Sequence, residues 1–229
     1  MRFQAIACDY DSTLAHEGRV APETVEVLRR ARTAGRKLIL ITGRRLEDLA
    51  SVFSETSVFD LIVAENGGLL SYPTTKLEEP LCAEPSEKFV AALALRQVPL
   101  SVGKAVVATH QPYETVVQEV IEKMNLDLAI TFNRESVMVL PRGIDKGSGL
   151  RAALHRLEIE APQVVGIGDA ENDLSFLRLC GFSVAVANAI ESLKSQVDHV
   201  TLLEDGAGAS KIIEEVIAGR ELVGSHGLR

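Results

Sequence analysis

Short apolar runs alternate with amphipathic stretches along most of the chain. Phe3-Gln4-Ala5-Ile6-Ala7-Cys8, Lys37-Leu38-Ile39-Leu40-Ile41, Leu61-Ile62-Val63-Ala64 and Val164-Val165-Gly166-Ile167 are too short for helices and almost continuously apolar. That pattern predicts strands of a parallel sheet, buried on both faces. Pro22 and Gly35 bracket a helix with Val25, Leu28 and Ala31 inward, and a shorter helix carries Leu46, Leu49, Ala50 and Phe53. A hairpin continues the third strand through Leu69 and Leu70. Strand, helix, strand, helix, strand in this order implies right-handed parallel crossovers. Later, Leu174 and Leu177 lie on a helix closed by Gly181, strands at 183–187 and 199–202 finish the sheet, and a last helix buries Ala209, Ile212, Ile213 and Val216. Residues 220–229 show no period and are expected to fray.

The middle of the chain breaks this rhythm. Prolines, threonines and acids at 72–84 predict a linker leaving the core. A helix from Ser86 then turns Phe89, Val90 and Leu93 to one side, and strands at 100–102 and 105–108 join near Gly103. A second helix at 113–125 presents Val116, Val117, Val120, Ile121 and Met124, and strands at 128–132 and 137–140 flank a turn at 133–136. The order α-β-β-α-β-β suffices for a small sheet with helices on one face. The expected fold is therefore α/β, a Rossmann-like parallel core at 1–78 and 143–229 with a small α+β unit inserted at 79–142.

Candidate chemistry gathers where apolar runs end, which is where open α/β sheets place ligands. Asp9-Tyr10-Asp11-Ser12-Thr13 follows the first strand, and residues two apart in extended chain point the same way, so Asp9 and Asp11 can approach one substrate. One acid can stay ionised while the other shuttles a proton; acids at this position also serve as helix caps or turn residues. The second strand runs into Thr42-Gly43-Arg44, a hydroxyl and a backbone amide suited to a phosphate oxygen. Lys146 opens an amphipathic helix with Leu150, Leu154 and Leu157 on one face; the helix dipole disfavours an ammonium there, so an anionic partner is expected. The strand at 164–167 ends in Gly168-Asp169-Ala170-Glu171-Asn172-Asp173, further carboxylates able to complete a hard-cation site.

A strand ending in DxDxT, a strand ending in TGR, a lysine before a helix and a strand ending in GDxxND, in that order, resemble the four motifs of the haloacid dehalogenase-like hydrolases. The resemblance covers residues 3 to about 218, and Gly181-Phe182-Ser183-Val184-Ala185-Val186-Ala187-Asn188-Ala189 is similar to the Cof/sucrose-phosphatase-like branch of that group. Ser12 departs from it, where glycine is usual. The resemblance implies a Mg2+-dependent phosphatase of a small phosphorylated metabolite, with sugar phosphate expected first and phosphoglycolate next. It makes Asp9 the nucleophile that forms an aspartyl-phosphate and Asp11 the general acid and base, with a raised pKa. Thr42, Gly43, Lys146 and Asn172 would hold phosphate; Asp9, Asp11 (through its carbonyl), Asp169 and Asp173 would hold the metal, Asp173 directly or through water. The inserted unit resembles a compact α/β cap, with specificity residues on loops such as Gly103 and 133–136.

Composition narrows the rest. A chain of 229 residues, 46% hydrophobic, can bury a sizeable core. The net charge of −8 without basic clusters disfavours nucleic acid. No apolar run is long enough to span a membrane and no signal-peptide pattern opens the chain, so a cytoplasmic enzyme, monomer or homodimer, is expected. Cys8, Cys82 and Cys180 are too scattered for a disulfide framework, and no His-His-acid spacing suggests zinc. Thr13 is expected to brace its loop, and Arg44 and Arg45 either reach a second anionic group or lie solvated. The rival readings are a phosphorylated receiver domain, which is about half this length, a phosphosugar mutase using the same aspartyl-phosphate, and a non-catalytic module.

Overall fold

The structure, a computed structural model, describes residues 3–224. The chain starts with strand β1 (Ala5–Asp9), all five residues buried. A hairpin of β2 (Ala15–His16) and β3 (Arg19–Val20) precedes helix α1 (Pro22–Thr33), strand β4 (Lys37–Ile41), helix α2 (Leu46–Val52) and strand β5 (Leu61–Ala64). Strands β6 (Leu69–Tyr72) and β7 (Leu77–Pro80) come next. The middle of the chain forms α3 (Glu87–Leu95), β8 (Ser101–Val102), β9 (Val107–His110), α4 (Glu114–Lys123), β10 (Leu128–Asn133) and β11 (Ser136–Pro141). Then follow α5 (Lys146–Leu157), β12 (Val164–Gly168), α6 (Leu174–Leu177), β13 (Phe182–Ala185), α7 (Glu191–Lys194), β14 (His199–Val200) and α8 (Asp205–Ile217).

Eight strands make the large sheet in the order β14-β13-β12-β1-β4-β5-β6-β7. From β14 to β5 every pairing is parallel, and β6 and β7 add an antiparallel edge. The parallel strands β1, β5, β12 and β13 are buried throughout, as expected of strands covered on both faces. Strand order reverses at β1: the chain leaves it for β4 on one side and comes back at β12 on the other. That switch point opens a crevice beyond the strand ends, and it places the ends of β1, β4 and β12 side by side.

The cap is a second, antiparallel sheet in the order β10-β11-β9-β8. Helices α3 and α4 cover one face of it, where Phe89, Leu93, Val107, Val117, Val120, Ile121 and Val139 form a core of their own. Side chains alternate along a strand, so Met138 and Leu140 leave β11 on the opposite face and cluster with Val106. Met138 is the nearest neighbour of Gly43, so this face looks onto the end of β4.

Two features depart from the sequence-based expectation. Residues 72–84 were expected to be a linker, yet Leu77–Pro80 pairs with β6 and becomes the edge of the large sheet. Its main chain supplies the pairing while its side chains stay exposed or half-buried, so it has no apolar alternation to detect. The β2–β3 hairpin is too short to leave a periodic signal. Within the expected tail, Leu222 is buried against the main core, and residues 225–229 lie outside the described residues.

Candidate active site

Asp9, at the end of β1, and Asp169, just past β12, are both buried. Asp173 is buried four residues further on, and one oxygen from each of the three carboxylates lies within 4.8 Å of the others. Such a group is unfavourable without compensation. Lys146, the first residue of α5 and fully buried, supplies part of it: Nζ donates to Asp9 Oδ1 and Asp173 Oδ1, both at 2.5 Å. The anionic partner expected of a lysine at a helix start is thus a pair of carboxylates. Asp145 caps the same helix through the Ser148 amide at 2.7 Å, which fixes the turn that delivers Lys146.

Burial, aided by Asp173 and Asp169, pushes the Asp9 carboxyl well above the usual carboxylate range, against the pull of Lys146. Asp169 is pushed up for the same reason, by burial and then by Asp173, while Arg134 and Thr13 pull it down. Lys146 loses hydration, but Asp173 and Asp9 outweigh that and hold its ammonium charged. Thr13, also fully buried, donates to Asp169 Oδ1 at 3.0 Å, so it orients a carboxylate as well as bracing its own loop. Asp173, expected at a metal directly or through water, belongs to the three-carboxylate group; its Oδ2 accepts from the Asp169 and Ala170 amides at 2.8 and 2.9 Å, and its Oδ1 accepts from Lys146.

Asp11 lies outside the three-carboxylate cluster. Arg44 grips both its oxygens, Nε to Oδ2 at 2.8 Å and Nη2 to Oδ1 at 2.7 Å. With both oxygens held by a two-pronged guanidinium, Asp11 faces a ligand only when Arg44 moves aside. Thr42 is fully buried at the end of β4, where its amide pairs with Val63 and its hydroxyl accepts from the Arg44 amide at 3.1 Å. The Gly43 amide makes no hydrogen bond among the described residues.

Asn172 donates to Asn66 Oδ1 at 2.9 Å, which leaves Asn172 Oδ1 and Asn66 Nδ2 buried without a partner. Asn66 thereby joins Asn172 as a buried amide free to bind a ligand. The sequence reads Glu65-Asn66-Gly67-Gly68 first as a turn, in a loop that the family resemblance turns toward the active site, and the turn is a demanding one. Glu65 and Asn66 both have positive φ, and at Gly67 (φ 105°) a Cβ would lie 1.9 Å from the Asp145 carbonyl oxygen.

Several contacts tie the cap to the core, among them Lys104 to Glu78 and Arg45 Nη1 to the Val102 carbonyl at 3.3 Å, and two involve buried carboxylates beside the crevice. Beyond β5, the buried Glu65 carboxylate accepts from the amides of Lys104, Ala105 and Val106 at 3.1, 2.6 and 3.1 Å. Beyond β12, Arg134 in the β10–β11 turn donates to Asp169 Oδ2 at 2.7 Å. Between these points lies a cleft of about 570 Å³ bounded by Asp11, Gly43 and Arg44 from the core and Asn133, Arg134 and Met138 from the cap. Besides its bond to the Val102 carbonyl of the cap, Arg45 pairs with Asp48 through two bonds of 2.8 Å. No helix among the described residues is long and apolar enough to cross a membrane.

A profile of the haloacid dehalogenase-like hydrolases matches residues 6–102 and 91–213. A phosphoglycolate phosphatase of Methanothermobacter thermautotrophicus is 31% identical over 217 residues, 92% of this chain and 97% of that protein. One from Methanosarcina acetivorans is 28% identical, covering 93% and 96%. A solved Thermoplasma acidophilum structure superposes with a TM-score of 0.80 at 18% identity, covering 94% of this chain and 98% of its own. A sugar phosphatase of subclass IIB superposes at 0.76 with 20% identity, covering 93% and 98%.

Proposed function

The chain belongs to the haloacid dehalogenase-like hydrolases and acts on phosphate esters, and from that premise we propose that it is a Mg2+-dependent phosphatase of a small phosphorylated metabolite, phosphoglycolate foremost and sugar phosphates second. The observation that carries this reading is Asp9, buried at the switch point of the sheet beside Lys146 and the further carboxylates. The relatives named phosphoglycolate phosphatase put that substrate first.

The residues fit a hard dication. Asp9, Asp169 and Asp173 bring three buried carboxylates against two cationic side chains, Lys146 and Arg134, and every candidate donor is oxygen. Asp9 and Asp169, with the Asp11 carbonyl, would hold the ion, and Asp173 would hold Lys146 and its own loop in place. Bound Mg2+ offsets the repulsion between an anionic nucleophile and an anionic phosphate.

Asp9 attacks phosphorus. Its carboxylate oxygen forms the new P–O bond as the ester P–O bond breaks, and Asp11 gives its proton to the departing alkoxide. Asp11, now ionised, takes a proton from water as that water attacks phosphorus, the Asp9–phosphorus bond breaks, and inorganic phosphate leaves. Lys146 shares its charge with the Asp9 oxygen and the transferring group, and the Thr42 hydroxyl, the Gly43 amide and the Asn172 and Asn66 amides bind phosphoryl oxygens. The cap keeps bulk water from the first step, the attack by Asp9.

The test is phosphate release from a panel of metabolites with Mg2+ and then with chelator. Turnover of phosphoglycolate that the chelator abolishes is the expected result; metal-independent turnover, or none on any ester, would overturn the proposal.

A further inference from the structure

Both guanidinium groups that line the cleft are held by carboxylates the chemistry needs. Arg44 holds Asp11, and Arg134 holds Asp169. Asp169 is almost wholly buried, whereas the Arg134 side chain is 49% exposed. Arg134 therefore reaches from a half-open cap turn into the carboxylate cluster, held there by one ion pair. Asn133 and Glu135 flank it on the cap side of the cleft wall, Asp11 on the core side is taken by Arg44, and Glu171 and Asp205 attract it without a hydrogen bond.

A divalent ion on Asp169 and the guanidinium of Arg134 compete for the same carboxylate and repel each other. Once the ion is bound, Arg134 loses the one acid that it hydrogen-bonds, while Glu171 and Asp205 attract it only from a distance. The ligand that best restores the pairing is the one Arg134 already holds, a carboxylate, carried on the leaving group close to the phosphate. A guanidinium and a carboxylate make charge-assisted, geometrically matched bonds that a hydroxyl cannot replace.

We propose that Arg134 is a specificity-determining residue, which exchanges Asp169 for a substrate carboxylate two or three bonds from the ester oxygen. The proposal rests on the phosphatase reading above, and it extends that reading from the reacting phosphate to the far end of the substrate. It also gives the β10–β11 turn a chemical task. The turn places a cation over the cluster, where an ester without a second negative charge leaves Arg134 unpaired.

The experiment compares two esters of equal length, phosphoglycolate and 2-hydroxyethyl phosphate, in the wild-type protein, Arg134→Gln and Arg134→Lys, all with Mg2+. The wild-type protein is expected to favour the carboxylated ester. Arg134→Gln should lower the ratio of the two kcat/KM values by about 10- to 100-fold, the scale of a lost charged hydrogen bond, chiefly through KM for phosphoglycolate. Arg134→Lys should fall between the two. An unchanged ratio in Arg134→Gln, with both esters slowed equally, would overturn the proposal and leave Arg134 as an orienter of Asp169. A wild-type preference for the neutral ester would overturn it as well. Failure of the wild-type protein to hydrolyse either ester would overturn this proposal, whereas the phosphatase reading falls only if no ester of the metabolite panel is turned over.

Discussion

At the residue level, Asp9 and Asp11 are separated by their surroundings more than by their spacing. Asp9 is buried against an ammonium and two carboxylates, whereas Asp11 is part-exposed and held by a guanidinium. Asp9→Asn should cut kcat on the order of 10⁴-fold or more while circular dichroism stays unchanged, as expected for a lost nucleophile; near-native turnover would remove Asp9 from that role. Asp11→Asn should slow esters with poor alkyl leaving groups far more than aryl esters, whose departure needs little protonation. Ser12 offers a test of strain. Its φ of 59° is in the left-handed region, and the Asn188 amide donates to its carbonyl at 2.8 Å. Left-handed backbone costs an L-residue about 1–2 kcal/mol, partly offset by the larger freedom glycine loses on folding. Ser12→Gly should therefore stabilise the protein by about 0.5–1 kcal/mol in urea denaturation.

At the level of elements, the strands that carry the chemistry were legible because burial on both faces makes them continuous apolar runs. Asp9, Thr42 and Asp169 follow such runs directly. The elements that escaped notice are held by other means: β7 by main-chain pairing at an edge, β2 and β3 by two residues each. The cap contacts were hidden for a different reason. Glu65 meets its partners 39 to 41 residues later, and Arg134 meets Asp169 35 residues later, and neither separation leaves any period in the sequence. The turn at 133–136 could be marked as facing a substrate, but its reach could not. Glu65 gives the element-scale prediction. Removing its carboxylate strands three amides, so Glu65→Ala should cost about 2–3 kcal/mol, and hydrogen exchange at Lys104, Ala105 and Val106 should accelerate. Unchanged protection there would show that other contacts hold this edge of the cap.

For the whole molecule, the carboxylate cluster links stability to pH and to metal. The Asp9 and Asp169 carboxyls are held above their ordinary value of 3.8, mainly by burial, so the folded chain keeps protons that the unfolded chain has released. Stability from this source is complete below the ordinary carboxylate range and is lost as pH rises through the raised values. On the proposed function, a divalent ion held by these carboxylates would displace those protons and remove the penalty. Mg2+ should accordingly raise Tm little at pH 5 and progressively more toward pH 8, approaching about 2.7 kcal/mol at a hundredfold excess over Kd. Melting curves with Mg2+ and with chelator across that range would check it, and a pH-independent increment would contradict it.

The contacts on the two sides of the cleft differ in kind. At the β5 side three amides close on a buried acid. At the β12 side a half-exposed arginine reaches a buried carboxylate. An arriving anion therefore finds Arg134 open to it while Asp9 is still covered.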